Sequence, residues 1–255
     1  MVSHPNASRN GVPPELTIVI PAHNEEHRIG PTLRDYLAYF NASSTEIIVV
    51  LNGCTDRTAK VVTSVQRRIG ANLRVIDIAE AIGKGGAVKV GFLAARGQTV
   101  GFVDADGATT AEEFERIVQA VGQADGAIAS RWISGARVYN RTSPLRKLTS
   151  LGFVVMVKLL FRLPYHDTQC GAKVFRRQVI DAIAGRLTTQ DMTFDVELLV
   201  RARAAGYQIR EVPTIWTDQT SSTVPSSPLK LGQTSFRMLT SLLKLSRLSR
   251  REHLI

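Results

Sequence analysis

Short apolar stretches alternate with helix-forming segments through the first half of the chain. The stretches are rich in β-branched residues, which is typical of buried strands. We predict strands at Leu16 to Ile20, Glu46 to Leu51, Leu73 to Ile78, Val100 to Val103 and Gly126 to Ser130. Pro21 is expected to end the first of them.

The segments between these strands carry apolar residues at helical spacing. We predict a helix that begins near Pro31, a second over Arg57 to Ile69 and a third over Gly85 to Ala95. Strands joined by such helices form parallel pairs through crossover connections. The predicted fold class is therefore α/β, with a mostly parallel central sheet and helices on both faces.

The alternation breaks after residue 126. A loop passes through Asn140, a long helix begins at Pro144, and another helix is predicted over Phe194 to Ala205. The predicted organisation is a flexible arm (1–15), a domain (16–218) with halves at 16–125 and 126–218, and a basic amphipathic helix (219–255).

Composition and charge narrow the possible partners. The chain has 255 residues, of which 44% are hydrophobic, and a net charge of +10. Two cysteines, Cys54 and Cys170, are too few for a disulfide scaffold, and no charged-then-apolar leader opens the sequence, so a cytoplasmic location is expected. A basic surplus attracts nucleic acid, anionic lipid headgroups or phosphorylated substrates.

The positive charge is concentrated near the carboxyl end. The basic residues between Asp218 and Glu252 are Lys230, Arg237, Lys244, Arg247, Arg250 and Arg251, with no acidic residue among them. Interspersed leucines suit a helix lying on an anionic membrane surface, and packing against the domain is the alternative. No apolar run approaches the roughly 20 residues of a spanning helix, so peripheral contact is expected.

Polar residues follow the strands of the first half where each strand ends. Ligands of parallel sheets bind beyond these carboxyl ends, so a binding site is expected there. The candidate residues are Pro21, Asn24, Glu25, Asn52, Asp56, Lys84, Asp104, Ala105 and Asp106.

Asp104 and Asp106 are the candidate metal ligands. Two acids this close repel each other unless a cation lies between them, and their hard oxygens suit Mg²⁺ or Mn²⁺ completed by phosphate oxygens. The alternative is a simple turn, since Asp-Gly is a common turn dipeptide. The two acids alone leave both interpretations open.

The other candidates also have simpler explanations. Asp56 alone is more readily a helix cap. Lys84 lies in the glycine-rich segment 83–86, which can present N–H groups to a phosphate but matches neither standard nucleotide motif. Arg131 and Arg146 suit phosphate oxygens, although most arginines are solvated surface charges. Asp195 and Glu197 are attributed to the helix macrodipole.

Taken in order, these motifs resemble the dolichyl-phosphate β-glucosyltransferases, within the inverting glycosyltransferases of GT-A fold. The matching segments are Ile-Val-Ile-Pro-Ala-His-Asn-Glu-Glu at 18–26, Gly-Lys-Gly-Gly-Ala-Val at 83–88, Asp-Ala-Asp-Gly-Ala-Thr at 104–109, Asp-Thr-Gln-Cys-Gly-Ala-Lys-Val-Phe at 167–175, Phe-Asp-Val-Glu-Leu-Leu at 194–199 and Glu-Val-Pro-Thr-Ile-Trp at 211–216. The resemblance covers roughly residues 16–218.

The resemblance implies a role for each candidate. Pro21, Glu25 and Asp56 would contact the nucleoside of a nucleotide sugar, with Asn24, Asn52 and Ala105 in the same site. Lys84 and Arg131 would contact its phosphates, Asp104 and Asp106 the metal. Asp167 and Gln169 would lie beside the reacting centre. The resemblance favours UDP-glucose as the donor. The family usually has two acids where Leu51-Asn52 stands, so the contact that reads the base is expected to differ here, and GDP-mannose stays open.

The expected acceptor is a polyprenyl or dolichyl phosphate. Such a phosphate is already an anion, so it needs little help from a base to attack, and Arg131 and Arg146 would hold it. A hydroxyl acceptor would need a base, for which Asp167 is the first candidate. A phosphatase with an Asp-x-Asp nucleophile is disfavoured by Ala108. A basic RNA-binding protein would not explain acids and glycines at four strand ends, so no nucleic-acid partner is expected.

Overall fold

A computed structural model describes residues 13–70, 72–139, 144–217 and 228–255, and for 144–151 and 228–236 it describes the backbone alone. Most of the predicted flexible arm lies outside these residues. The side chain of Arg146 also lies outside them, so its predicted contact with a phosphate remains a prediction.

The described strands and helices follow the predicted alternation closely. The strands are β1 (Leu16–Ala22), β2 (Thr45–Asn52), β3 (Leu73–Ile78), β4 (Thr99–Val103), β5 (Gly126–Ser130), β6 (Arg137–Tyr139), β7 (Ala172–Arg176), β8 (Ile209–Pro213) and β9 (Ile215–Thr217). The helices are α1 (Ile29–Tyr39), α2 (Thr58–Ile69), α3 (Gly83–Ala94), α4 (Ala111–Ala120), α5 (Pro144–Phe161), α6 (Arg177–Ile183), α7 (Phe194–Ala204) and α8 (Pro228–Arg251), with a 3-10 turn at Ala184–Arg186.

The central sheet has seven strands in the order β3-β2-β1-β4-β7-β5-β8. Only β7 runs antiparallel to its neighbours, and β6 and β9 form a separate parallel pair. The predicted mostly parallel sheet is confirmed. Because β7 is reversed, its first residue, Ala172, pairs with Val103 at the end of β4. The reversed strand thus brings the loop before it to the edge where ligands bind.

Helices cover both faces of the sheet, as predicted. On one face the core contains Ile18 and Ile20 of β1 with residues of α1, α2 and α4. On the other face Val19 of β1 packs with residues of α3 and α5 to α8. This division follows from the alternation of side chains along a strand.

The prediction that Pro21 ends β1 is wrong, since the strand continues to Ala22. Pro21 pairs with Val50 of β2, whereas the pairing of β1 with β4 reaches only to Val19. At Pro21 the β4 side of the strand is therefore already unpaired, and the missing N–H leaves no bond unmade there.

The carboxyl-terminal helix packs on the domain along its described part. Leu242 and Leu245 are buried in the core, and Arg201 of α7 donates to Glu252 at 2.7 Å. Lys244 and Arg247 lie on the exposed side. Among the described residues, none of the helices combines the length and the apolar character that crossing a bilayer requires.

Candidate active site

Asp104 lies at the end of β4 between a lysine and a glycine. Its Oδ1 is 2.6 Å from Lys84 Nζ, and its amide donates to Gly171 O at 3.1 Å. A Cβ added to Gly171 would lie 1.9 Å from Asp104 Oδ2. A larger residue at position 171 would push this carboxylate out of place, which explains the glycine in the loop over 167–171.

Asp106 forms the turn that the Asp-Gly dipeptide suggested. Its Oδ1 accepts from the amide of Ala108 at 3.0 Å, and Gly107 has a φ of 73°. Burial, together with the neighbouring charge of Asp104, raises the pKa of Asp106. The turn therefore holds the two carboxylates where a cation would relieve their repulsion.

The acids at this edge suit a metal that is shared with a substrate. Within the described part of the chain, no group of three or more His, Cys, Asp and Glu side chains could hold a metal. Mg²⁺ and Mn²⁺ are commonly held by one or two carboxylates together with substrate phosphates. Asp104 and Asp106 fit that type of site, while nearby Glu25 is paired with Arg28 at 2.5 Å.

The candidates after β1 and β2 fasten two loops to each other. Asn24, with a φ of 55°, accepts from the amides of Thr55 and Asp56 through its Oδ1. Asp56 Oδ2 in turn accepts from the amide of Glu26, and its Oδ1 accepts from the amide of Thr58, the first residue of α2. Asp56 thus stabilises the start of a helix, as its simpler explanation predicted, and also joins the loops.

Asn52 and Ala105 make similar connections. The Oδ1 of Asn52 accepts from the amide of Ile82 at 2.7 Å, just before α3. The carbonyl of Ala105 accepts from Thr32 Oγ1 at 3.0 Å. Both residues are buried. Both residues therefore fix the backbone at the carboxyl edge of the sheet. Pro21, half-buried near the end of β1, lies along the same edge.

The glycine-rich segment allows a close approach of the chain at residues 189–190. A Cβ on Gly83 or Gly85 would lie 2.3 Å from the carbonyl oxygen of Gln190 or Thr189, respectively. The amide of Gly85 donates to Gln190 O at 2.8 Å. This amide is therefore already used within the protein. What the segment offers a phosphate is the ammonium of Lys84, in the first turn of α3.

Arg131, which is largely buried, and Asp167, which is fully buried, form a two-pronged ion pair. Arg131 donates to Asp167 through Nε at 2.7 Å, Nη2 at 3.0 Å and its amide at 3.0 Å. Burial alone would raise the pKa of Asp167, but the charge and hydrogen bonds of Arg131 hold it below the ordinary value. The guanidinium also lies 5.2 Å from the ring of Trp216.

The loop over 167–171 connects the Arg131–Asp167 ion pair with Asp104. The amide of Gln169 donates to Asp167 Oδ1, and two residues later the carbonyl of Gly171 accepts from Asp104. Glu211 accepts from the amide of Asp167 at 2.7 Å. The structure thus brings together the predicted Asp104, Lys84, Arg131, Asp167 and Gln169.

The macrodipole explanation of Asp195 and Glu197 is incomplete. Asp195 is fully buried and bonds to Lys173 Nζ, while Glu197 accepts from the amides of Thr188 and Thr189. Sequence reasoning missed Lys173. Its signal was a lysine inside the apolar stretch Ala172 to Phe175 that forms β7.

Comparison with known proteins identifies the family. Residues 17–184 match the profile of glycosyl transferase family 2. The chain belongs to this family. The family 2 chain is 36% identical over 216 residues to a dolichyl-phosphate β-glucosyltransferase of Trichomonas vaginalis, covering 79% of this chain and 64% of that protein. The enzyme of the same name from Dictyostelium discoideum is 35% identical over 218 residues, or 80% and 66%.

These relatives are longer than the family 2 chain, which spans just under two thirds of their length. Among solved structures, glucosyl-3-phosphoglycerate synthase of Mycobacterium tuberculosis, in complex with Mn²⁺, UDP and glucosyl-3-phosphoglycerate, aligns with a TM-score of 0.65. It is 16% identical, and the alignment covers 91% of this chain and 80% of that one. This likeness confirms the predicted GT-A fold.

Proposed function

We propose that this family 2 chain is a metal-dependent, inverting glucosyltransferase that moves glucose from UDP-glucose to a polyprenyl or dolichyl phosphate. The observation that carries the proposal is the loop over 167–171. It links Asp104, which suits a metal on the donor diphosphate, to Arg131, which suits a second anion. A site with two anion positions joined in this way fits a transfer between two phosphorylated substrates.

The relatives support the choice of substrates. Proteins named dolichyl-phosphate β-glucosyltransferase are 36% and 35% identical to this chain. The mycobacterial synthase of similar fold holds Mn²⁺ together with UDP. We infer the same class of donor here, with Pro21, Glu25 and Asp56 toward the nucleoside. GDP-mannose is the alternative donor.

In the proposed reaction an oxygen of the acceptor phosphate attacks the anomeric carbon from the face opposite the diphosphate. The bond from that carbon to the diphosphate oxygen breaks, and UDP leaves with the electron pair. Arg131 and, by our prediction, Arg146 hold the acceptor phosphate in line. Lys84 faces the departing diphosphate. A divalent cation held by Asp104 and Asp106 would neutralise the charge that develops on it.

The state of Asp167 favours a phosphate acceptor over a hydroxyl acceptor. A hydroxyl must lose a proton to a base as it attacks. Both carboxylate oxygens of Asp167 accept hydrogen bonds from Arg131, and the lowered pKa of Asp167 makes it a weak base. A phosphate needs no such base. We therefore assign Asp167 the positioning of Arg131.

The decisive experiment offers the full chain four donors with a polyprenyl phosphate and Mn²⁺. The donors are UDP-glucose, UDP-galactose, UDP-N-acetylglucosamine and GDP-mannose. Glucose transfer from UDP-glucose that stops when EDTA is added is the expected result, with a β-linked product seen by NMR. No transfer from any donor would overturn the proposal.

A matched pair of variants tests the metal site within this assay. Asp104→Asn should lower kcat by about 10²–10³-fold, because it removes charge that binds the metal on the leaving group. Asp181→Asn changes an aspartate that is 62% exposed on α6 and should leave kcat unchanged. Equal activity of the two variants would exclude Asp104 as a metal ligand.

We further propose peripheral binding to the cytoplasmic face of a membrane through the basic side of α8. Lys244 and Arg247 are exposed, whereas Leu242 and Leu245 of the same helix are in the core. The variant Lys244→Glu/Arg247→Glu should bind anionic liposomes more weakly in a flotation assay and keep its melting temperature. Unchanged flotation would leave α8 with a packing role alone.

A further inference from the structure

Within the part of the chain that the structure describes, one buried carboxylate oxygen beside the site has no hydrogen-bond partner. Asp195 is fully buried, and its Oδ1 accepts from Lys173 Nζ, but its Oδ2 makes no hydrogen bond to any residue that the structure describes. Burying a charged oxygen without a bond is costly, and such atoms are rare in proteins. The position of Oδ2 therefore suits a donor that arrives from elsewhere in the site.

In the structure Lys173 bonds to the other oxygen of Asp195 and not to Oδ2. Its Nζ already donates to Asp195 Oδ1 and to the carbonyl of Cys170 at 2.7 Å. It belongs to β7, in the interior of the sheet, and its ammonium lies 5.3 Å from the ring of Phe102. The position of Lys173 is therefore set by the strand, by its two hydrogen bonds and by the Phe102 ring.

Lys84 is placed to reach Asp195. Its Nζ lies 5.7 Å from the same Phe102 ring and 5.8 Å from the ring of Phe194, the residue before Asp195. Burial opposes the charge of Lys84, yet the carboxylates of Asp104 and Asp195 outweigh it and raise the pKa of Lys84. An ammonium has three N–H donors to share among its neighbours.

The bond between Lys84 and Asp104 competes with a metal. Lys84 holds Oδ1 of Asp104 at 2.6 Å, and the backbone at Gly171 packs against Oδ2. A divalent cation that binds Asp104 would therefore meet the ammonium at the same carboxylate. Two cations so close repel each other, so metal binding favours movement of Lys84 away from Asp104.

We propose that Asp195 is a positioning residue that receives Lys84 when a divalent cation takes Asp104. The Lys84 ammonium leaves Asp104 Oδ1, donates to Asp195 Oδ2, and keeps a further N–H for the donor diphosphate. The buried Lys173–Asp195 pair thereby prepares the second position of Lys84. This inference rests on the metal-dependent function proposed above.

The test is a double-mutant cycle on the affinity for Mn²⁺ alone, followed by the EPR signal of free Mn²⁺. Lys84→Met should tighten Mn²⁺ binding because it removes the competing ammonium. Asp195→Asn should weaken Mn²⁺ binding, because Lys84 then lacks the carboxylate that would receive its ammonium. The expected change is on the order of tenfold, the usual size of such couplings. In the Lys84→Met background, Asp195→Asn should have no effect.

The cycle separates the outcomes. If Asp195→Asn weakens Mn²⁺ binding equally with and without Lys84, its role is merely structural and the inference is overturned. If Asp195→Asn does not fold, Lys173→Met/Asp195→Asn removes both charges of the buried pair, and the cycle is run with that variant. No Mn²⁺ binding by the unaltered chain would contradict the proposed function itself. Normal Mn²⁺ binding with additive variants would contradict the role of Asp195 alone.

Discussion

The loops after β1 and β2 and the loop before β7 build the same site by different means. In the first two, Asn24 and Asn52 bond to backbone amides and fix the shape of the chain. Around the loop before β7, buried charges bond to each other, as in Arg131–Asp167 and Lys173–Asp195. The first part is shaped mainly by side chains that bond to backbone amides, and the second by bonds between opposite charges.

This difference has an energetic meaning. A neutral hydrogen bond contributes about 1 kcal/mol and can be lost at modest cost. A buried ion pair repays its desolvation only while both partners are present, so loss of one partner costs about 3–5 kcal/mol. A substitution in the charged part of the site is therefore expected to cost more stability. This part is also where the proposed anionic acceptor would bind.

The largest expected effect is on catalysis at Arg131. Arg131→Lys keeps the charge but loses the planar fork, so kcat/KM for the polyprenyl phosphate should fall by about 10²-fold or more. Asn24→Ala, in the loops after β1 and β2, should instead raise the KM for the nucleotide sugar and leave the KM for the acceptor unchanged. Steady-state kinetics with each substrate varied in turn checks both; equal changes in both KM values would remove the distinction between the two parts.

The next effect is on stability. Asp167→Asn leaves Arg131 buried without its counter-ion and should lower the free energy of unfolding by about 3 kcal/mol or more. Asp56→Asn, which weakens a helix start that is partly exposed, should cost about 1 kcal/mol or less. Urea denaturation followed by circular dichroism measures both. A larger loss for Asp56→Asn would contradict the comparison.

A smaller effect should depend on pH. Burial opposes ionisation of Glu197, but bonds from Thr188, Thr189 and Arg201 outweigh it and lower its pKa. The unfolded pKa is about 4.3, so the stabilisation is complete above that value and is lost as pH falls through the lower folded pKa. Glu197→Gln should therefore cost about 2 kcal/mol at pH 7, and the difference should shrink in acid. A constant difference down to pH 2 would be evidence against this linkage.

The smallest effect concerns the two thiols. Burial, which outweighs the nearby charge of Arg131, raises the pKa of Cys170 to about 12. Cys54 is only half-buried. A thiol reagent at pH 8 should modify Cys54 in the native chain and Cys170 only after unfolding, as peptide mass spectrometry would show. Rapid native modification of Cys170 would mean that the loop before β7 opens readily.

Much of this architecture could be predicted from the sequence because its signals are local. The strands of the first half are apolar stretches, and their polar ends mark the site edge, so Asp104 and Lys84 were found as a group. Lys173 and Asp195 could not be paired, because the strand that carries Lys173 is reversed and no local pattern shows its neighbours. Likewise, Gly171 looked like a loop glycine until the structure placed it against Asp104.

The reversed strand β7 has a consequence for how the protein folds. β7 pairs with β4, far back in the sequence, and with β5. Contacts between residues so distant along the chain form slowly, because the chain loses the entropy of closing a long loop before these contacts stabilise it. Until β7 is in place, Asp104 lacks Gly171 and Arg131 lacks Asp167. We expect activity during refolding to appear only after β7 has paired, so that a chain folded without this strand has no partial activity.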